Sequence, residues 1–113
     1  MREIKFRVWN KNECKMQVVK EMNLKEVNLI NDLFPLMQYT NCYDINGKEI
    51  FEGDIVETTR ALNHIVGVVT MIKGCWYIQD GKDSYYRLIP RFGTAENKVI
   101  GNIYENKELL EVE

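Results

Sequence analysis

The feature that most constrains the fold of this chain is a tight turn at Asn46-Gly47. The segments on either side, residues 43–45 and 48–51, carry apolar residues, and Asn-Gly between such arms is the strongest short-range signal for a β-hairpin. Both central residues of a type I′ turn have positive φ, which Asn and Gly tolerate best. We therefore predict a type I′ hairpin here, followed by a second tight turn at Gly53-Asp54.

Short segments of β-type sequence recur along the rest of the chain. Ile4, Phe6 and Val8 alternate with charged residues, which is the period-two pattern of a half-buried strand, and the alternation restarts after residue 13. This pattern predicts a hairpin over residues 2–19. Residues 65–72 are rich in β-branched side chains and are interrupted by Gly67, which suits a bulge or a sharp bend.

Together, the short strands and the turn signals that separate them favour a small barrel or sandwich. Within that class we predict a mainly β fold with little helix: a small bent SH3-like barrel between about Leu36 and Tyr104, with the N-terminal hairpin packed on it. Residues 20–35 fit a helix or short strands almost equally well. Asn106 is expected to cap a short terminal turn.

The length of 113 residues indicates a single domain over residues 1–113. In this division, residues 1–35 hold the hairpin and an ambiguous connector, and residues 36–113 hold the barrel core and the terminal turn.

Composition argues against several classes of protein. A hydrophobic fraction of 45% and a charged fraction of 28% are typical of a folded globular domain. No stretch approaches the ~18 uninterrupted apolar residues of a membrane helix, and the alternating N-terminus differs from a signal peptide. We therefore expect a cytoplasmic protein with no membrane partner.

The cysteines and the single histidine give no pattern for a metal site. Cys14, Cys42 and Cys75 lie far apart and form no C-x-x-C pair, and His64 is the only histidine. A zinc site needs about four clustered ligands. We expect buried free thiols that act as small hydrophobic side chains, a surface or strand-edge histidine, and neither a metal nor another cofactor.

Charge is distributed unevenly, although the formal net charge is −2. Residues 1–20 contain six bases and two acids, whereas residues 105–113 contain four acids and one base. Such asymmetry is found in nucleic-acid-binding faces and in head-to-tail self-association, and it is also common on an ordinary solvated surface.

A group of carboxylates is the first candidate for chemistry. Glu49, Glu52 and Asp54 lie within six residues, with Asp44 just upstream. Such a group could hold a divalent cation or act in acid–base catalysis. The alternative is that these residues supply hairpin polarity, with the aspartates accepting backbone hydrogen bonds in their turns.

An aromatic and basic stretch is the second candidate. From it we single out a candidate binding surface consisting of Trp76, Tyr85, Tyr86, Arg87 and Arg91. Exposed aromatic rings on a small barrel can stack on bases while basic side chains contact phosphates. Tyr, Trp and Arg are also the commonest hot-spot residues of protein interfaces. Because adjacent residues of a strand face opposite ways, about half of the rings in this stretch must lie in the core.

Three blocks carry a resemblance to a known family: MREIKFRVW (residues 1–9), LMQYTNCYDINGKEIFEGDIV (residues 36–56) and VIGNIYENKELL (residues 99–110). They resemble the YopX family of phage- and prophage-encoded proteins. This resemblance implies expression inside a bacterial host cell, and it supplies no reaction and no catalytic residues. Asn41 stands where the family commonly has glycine, and Asn can adopt the same left-handed backbone conformation.

Three functions remain open at this point. We expect first a non-enzymatic, self-associating interaction module, a homo-oligomer or a partner of a phage or host protein. The alternative is a nucleic-acid-binding barrel that acts in phage replication or expression. An enzyme with a carboxylate site is the third hypothesis.

Overall fold

The described part of the protein is built almost entirely from short β-strands. The computed structural model describes residues 4–19, 35–60, 63–81, 84–88 and 96–110. The connector at residues 20–34, whose structure the sequence leaves open, lies outside the described residues, as does Arg91. The described elements, in chain order, are β1 Phe6–Asn10, β2 Lys15–Val19, β3 Leu36–Tyr43, β4 Glu49–Phe51, β5 Asp54–Arg60, β6 Asn63–Ile72, β7 Cys75–Asp80, β8 Ser84–Arg87, β9 Glu96–Asn102 and a 3₁₀ helix Lys107–Leu110.

The strands form two antiparallel sheets. The first has the order β2-β1-β3-β4, and the second, which is curled, has the order β8-β7-β6-β5-β9. The N-terminal hairpin is confirmed as β1 and β2, with Phe6 opposite Val19. The hairpin continues into the rest of the fold because Phe6 also pairs with Gln38 of β3. The predicted mainly β fold with little helix is therefore confirmed, and the structure adds that β3 and β4 pair in the same sheet as the hairpin.

Strand β6 is the central strand of the curled sheet, and its main pairing partner changes halfway along its length. Its first half pairs with β5 as far as Val68, and its second half pairs with β7 from Val68 onward. Gly67 lies at this change. A Cβ at Gly67 would lie 2.5 Å from the carbonyl oxygen of Gln79, so no larger residue fits. The register between β5 and β6 runs unbroken through Gly67, and the irregularity in the sheet lies instead between Ile55 and Val56, where β5 pairs with β9.

The Asn46-Gly47 hairpin is present, but its turn is not type I′. Gly47 has a φ of 80°, whereas Asn46 does not have a positive φ. The reason is the side chain of Asp44, whose Oδ1 accepts the amide of Asn46 at 2.9 Å and that of Lys48 at 2.8 Å. The amide of Asp44 donates to the carbonyl of Lys48 at 2.8 Å, and the amide of Gly47 donates to the carbonyl of Asp44 at 3.0 Å. The loop between Asp44 and Lys48 therefore has three residues, with its glycine in the left-handed region.

The type I′ pattern occurs at a different hairpin. Lys73 and Gly74, which connect β6 to β7, have φ values of 49° and 82°. Asn41 has a φ of 66°, which confirms that it adopts the left-handed conformation expected where the family commonly has glycine.

One cluster of buried hydrophobic residues lies on the inner side of the curled sheet. Ile50 of β4 reaches it from the first sheet, while its other buried members come from the second sheet or directly follow it: Val56, Ile65, Val69, Ile78 and Leu88. Complete burial of an aliphatic side chain contributes roughly 1.5–3 kcal/mol to stability. Burial in the fold therefore accounts for many apolar residues of the block at residues 36–56: Met37, Tyr39, Ile50, Phe51, Ile55 and Val56.

The predicted turn after Asn106 is the 3₁₀ helix. The side chain of Asn106 points back along the chain, where its Oδ1 accepts the amide of Asn102 at 3.2 Å. It also occupies the space beside Gly101, where a Cβ would lie 2.6 Å from the same oxygen. Asn106 therefore joins the helix to the end of β9. In the part of the chain that the structure describes, no helix is long and apolar enough to cross a membrane.

Candidate functional site

Asp54 is part of a buried ion pair that links the two sheets. Its Oδ1 lies 2.7 Å from Nη2 of Arg7 in β1, and its Oδ2 accepts the amide of Phe51 at 2.8 Å. The side chains of Arg7 and Asp54 are only 8% and 2% exposed. Burial raises the pKa of Asp54, and the positive charge of Arg7 and the Phe51 amide act in the opposite direction. Asp54 is therefore engaged in structure rather than presented to solvent.

The other carboxylates of the group also have partners within the chain. Glu49 forms an ion pair with Lys5, and Oε1 of Glu52 accepts the amide of Gln38 at 3.3 Å. Asp44 holds its own turn and accepts the amide of Val99 at 3.0 Å through Oδ2. Among the described residues, no group of three or more His, Cys, Asp or Glu side chains is arranged to hold a metal ion.

His64 and the three cysteines differ in their exposure to solvent. Nε2 of His64 lies 3.1 Å from Oε2 of Glu57, and its side chain is 59% exposed, which confirms a surface histidine. Cys42 and Cys75 are half-buried free thiols. Cys14 is exposed in the turn between β1 and β2, so the prediction that it is buried is wrong. Its φ of 53° shows that it occupies a turn position instead of a strand face.

The aromatic stretch divides between the two faces of the curled sheet. Tyr86 pairs with the core residue Ile78, and both Tyr86 and Trp76 pack against the core. Tyr85 and Arg87 lie on the opposite face, where Tyr85 is 45% exposed. This division confirms that about half of the rings face the core. Arg91, the fifth residue of the candidate surface, lies outside the described residues.

The outer face of the curled sheet contains residues outside the five-residue candidate surface predicted from the sequence. Ile72, Lys73 and Tyr77 line a hollow of about 420 Å³ together with Tyr85. We call this the tyrosine hollow. The signal for Tyr77 and Tyr85 was the alternation along β7 and β8, but only the register between these strands brings the two side chains onto the same face.

A second hollow occupies the other half of the same face. Two adjoining depressions, of about 360 and 430 Å³, lie between the curled sheet and the 3₁₀ helix. We call them together the valine groove, and their shared lining residues are Val66, Asp80 and Leu110. Leu110 is 36% exposed. The outer face therefore carries a half-exposed apolar and aromatic strip from one end of β7 to the other.

The two ends of this strip carry opposite charges. Lys73 lies in the turn before β7 and lines the tyrosine hollow, whereas Asp80 ends β7 and lines the valine groove. Both residues are exposed, and neither takes part in an ion pair within the described ranges.

A separate cleft of about 300 Å³ lies between the two sheets. We call it the inter-sheet cleft, and its lining residues are Thr40, Cys42, Gly74, Cys75, Trp76, Arg87 and Leu88. None of them lines the tyrosine hollow or the valine groove. Burial raises the pKa of the Cys42 thiol, against the opposing effect of its hydrogen bond with Thr40, so the thiol is neutral at neutral pH.

Comparisons with known proteins give one family and one fold. The family model described as YopX protein matches residues 21–111. Comparison with curated proteins gives no match. Among solved structures, the chain is similar to the crystal structure of protein EF1440 from Enterococcus faecalis, with 23% identity, a TM-score of 0.62, and coverage of 97% of this chain and 99% of that chain. At this identity the likeness shows a shared fold alone.

The family match agrees with the resemblance in the sequence. Two of its three blocks, residues 36–56 and 99–110, lie inside the matched range, while residues 1–9 precede it. These two blocks contain Asp44 and Asp54, which hold turns, and Asn106, which joins the terminal helix to β9. With the family model matching most of its length, the chain belongs to the YopX family.

Proposed function

We propose that this protein is a non-enzymatic interaction module that self-associates through the outer face of its curled sheet. The observation that carries the proposal is the half-exposed apolar strip with Lys73 at one end and Asp80 at the other. The internal partners of the carboxylates support a non-enzymatic role, because those side chains serve the fold. The setting we propose is the cytoplasm of a bacterial host, with the protein encoded by a phage or prophage.

A second copy suits this surface because its charges are self-complementary. In a two-fold symmetric pair the same patch faces itself, so each contact is made twice. If β7 of one copy runs antiparallel over β7 of the other, Lys73 of each copy lies opposite Asp80 of its partner. The two residues are separated by about 20 Å along the hairpin, so both contacts form at the rim while the apolar strip lies between them.

The size of the surface predicts a weak complex. A patch about 20 Å long and about 10 Å wide, the width of the three paired strands β6, β7 and β8 that line it, covers on the order of 200 Å² on each copy. This area is below that of a standard stable interface. We therefore expect a concentration-dependent dimer with a dissociation constant in the micromolar range or above.

The ends of the chain contribute less to self-association than their charges suggest. Arg7 and Lys5 are two of the six N-terminal bases, and both are engaged in ion pairs within the same chain. The proposal therefore depends on the outer face and not on attraction between the two ends.

Charge reversal at the two rim positions tests the proposal. Lys73→Glu and Asp80→Lys should each place like charges opposite one another and weaken the homodimer, as measured by sedimentation velocity at low salt. An equimolar mixture of the two variants should dimerise again, because the new acidic side chain of one variant would then meet the new basic side chain of the other. No structural damage within a single variant would produce this rescue.

Lys11→Glu is the matched control, because Lys11 is an exposed lysine in the turn between β1 and β2. It should leave the dimer unchanged. A wild-type protein that sediments as a monomer at high concentration, or rim variants whose mixture fails to associate, would count against the proposal.

A second candidate function is single-stranded nucleic-acid binding in the tyrosine hollow. Tyr77 and Tyr85 are diagonal neighbours on adjacent strands, a relation that separates residues by about 7–8 Å and leaves room for a planar base between two rings. Lys73 would contact a phosphate. Titration of the same variants with oligonucleotides at low salt distinguishes the two functions. Lys73→Glu should abolish nucleic-acid binding, Asp80→Lys should strengthen it, and mixing the variants should give no rescue.

A further inference from the structure

We infer that the edge of β9 facing away from β5 is a second self-pairing surface, which the turn at residues 44–48 keeps closed, and that β9 of another copy pairs with it when the turn is released. β9 is the last strand of the curled sheet, where an uncovered edge would offer backbone groups to another chain. This inference goes beyond self-association through the outer face, because no described residue of β9 lines the tyrosine hollow or the valine groove. Failure of one proposal therefore leaves the other intact.

The turn of the first sheet takes the place of a further strand beside β9. The amide of Ile45 donates to the carbonyl of Asn97 at 2.8 Å. Oδ2 of Asp44 accepts the amide of Val99 at 3.0 Å, where a neighbouring strand would present a carbonyl. Asn97 and Val99 are alternate residues, so both direct their backbone groups to the side away from β5. Covering an edge with a loop is one way in which proteins prevent strand addition.

The carboxylate of Asp44 joins this cap to the turn itself. Its Oδ1 accepts the amides of Asn46 and Lys48 at 2.9 and 2.8 Å, while its Oδ2 binds the amide of Val99. One side chain thus fixes both the shape of the loop and its position on the strand. Removing this carboxylate therefore releases the Val99 amide and loosens the loop that carries Ile45.

The charges of β9 identify a second copy as the occupant of the edge. Glu96 and Lys98 are exposed, and they lie opposite Thr59 and Glu57 of β5. If two β9 strands pair antiparallel about Asn97, Glu96 of each copy lies directly opposite Lys98 of the other. Opposite charges at such positions stabilise a strand pair. The edge is therefore complementary to itself, as a two-fold symmetric contact requires.

Opening of the cap is tested in a Lys73→Glu background, which weakens the outer-face dimer and so keeps the two proposals apart. In this background Asp44→Ala should dimerise with rising concentration in sedimentation velocity, whereas the protein with Asp44 intact should not. Hydrogen exchange gives the location, because the Val99 amide should exchange rapidly in dilute protein and slowly in concentrated protein. An Asp44→Ala protein that stays monomeric at high concentration, with rapid Val99 exchange throughout, would overturn the inference.

Asn10→Ala is the matched control, because Asn10 shapes the turn between β1 and β2 as Asp44 shapes its own. Its Oδ1 accepts the amides of Asn12 and Glu13 at 3.0 and 3.1 Å. The substitution should weaken a turn without uncovering β9, so the protein should remain monomeric in the same background. Equal association of Asn10→Ala and Asp44→Ala would mean that lost stability drives the assembly, and would overturn the inference.

Charge reversal on β9 tests the pairing register. With the edge open, Glu96→Lys and Lys98→Glu should each weaken the dimer roughly tenfold, because like charges then lie opposite one another twice. An equimolar mixture should recover most of the lost affinity, since each new charge faces its opposite. Lys98→Glu also faces Glu57 of its own chain, an effect that mixing leaves unchanged. Association that neither reversal weakens, or that mixing fails to restore, would exclude pairing through β9.

Asp44→Asn provides a milder opening should Asp44→Ala fail to fold. Its side chain has one acceptor oxygen in place of two, so it holds the turn amides and the Val99 amide less well. It should give the same dimer with a weaker affinity, and mixing the two charge variants should restore that dimer in the same way. Absence of this dimer from folded Asp44→Asn protein at high concentration would overturn the inference.

Discussion

Asp44 and Asp54 lie ten residues apart in the same sequence block, yet they stabilise the protein in different ways. Within the described residues, Asp44 accepts hydrogen bonds from backbone amides alone, those of its own turn and that of Val99 in β9. Asp54 accepts one amide and one buried guanidinium, which comes from Arg7 in the other sheet. The sequence alone does not distinguish the two aspartates. Their hydrogen-bond partners show that Asp44 shapes a turn, whereas Asp54 joins the two sheets.

The two environments also move the two pKa values in opposite directions. Burial acts to raise the pKa of Asp44, but the amides of Val99, Lys48 and Asn46 outweigh it, and the pKa is lowered. For Asp54, burial outweighs the favourable effects of Arg7 and Phe51, and the pKa is raised. Three amide hydrogen bonds thus outweigh the effect of burial at Asp44, whereas the charge of Arg7 and one amide do not outweigh it at Asp54.

The largest expected effect in this comparison comes from Arg7→Ala. This substitution leaves Asp54 buried without a positive partner, and breaking a buried ion pair in this way costs about 3–5 kcal/mol of unfolding free energy. Urea denaturation followed by Trp fluorescence would measure the loss. As a control, Arg7→Met combined with Asp54→Asn removes both charges and should be more stable than Arg7→Ala alone. A loss below about 1 kcal/mol for Arg7→Ala, as for an exposed pair, would contradict the role assigned to this link.

Asp44→Ala should have a smaller effect. It leaves the amides of Asn46, Lys48 and Val99 without their acceptor, but Asn46 and Lys48 are exposed and can bind water instead. We expect a loss of about 2 kcal/mol. Hydrogen exchange would locate the change, since the Val99 amide should exchange faster in Asp44→Ala. If Val99 kept its wild-type protection, the link between this turn and β9 would be less important than its geometry indicates.

The smallest effect is the pH dependence that distinguishes the two carboxylates. The lowered pKa of Asp44 means that its ionised form contributes stability above the ordinary value of 3.8, and this contribution is lost as pH falls through the folded-state pKa. The raised pKa of Asp54 has the opposite sign: its contribution is full below 3.8 and declines as pH rises through the folded-state pKa. The two carboxylates therefore make the unfolding free energy depend on pH in opposite senses.

Stability measured against pH in two variants isolates these contributions. Asp44→Asn should lose less stability than the wild type on acidification below 3.8. Asp54→Asn should instead remove the decline that accompanies rising pH above 3.8. Parallel pH profiles for both variants and the wild type would show that the two environments do not differ in the way their contacts imply.

The sequence predicted those parts of the fold that depend on local pattern. The alternation of Phe6 and Val8 identified β1, and Gly47 and Gly53 marked turns that the structure contains. The turn type at Asn46-Gly47 was wrong because the Asp44 carboxylate organises the loop through its side chain. The preference of Asn-Gly for a type I′ turn considers only the two central residues. It therefore did not reveal the hydrogen bonds made by the side chain of Asp44, which precedes them.

The grouping of strands and the candidate surface depended on contacts between distant segments. Alternation predicted that some aromatic rings of the stretch would face the core, but it could not identify Trp76 and Tyr86 as the inward pair. The register of β7 with β8 was needed to place Tyr77 and Tyr85 on the same outer face. The Arg7–Asp54 pair spans 47 positions, and no local pattern in the sequence connects its members.

The position of Arg7 bears on how this family should be dissected experimentally. The match to the family begins at residue 21, downstream of both strands of the N-terminal hairpin. A shortened gene product cut at that boundary would retain Asp54 and discard the cation that neutralises it. Expression boundaries chosen from family similarity alone would therefore remove a stabilising partner from the protein interior, and poor yield from such a product would reflect where it was cut.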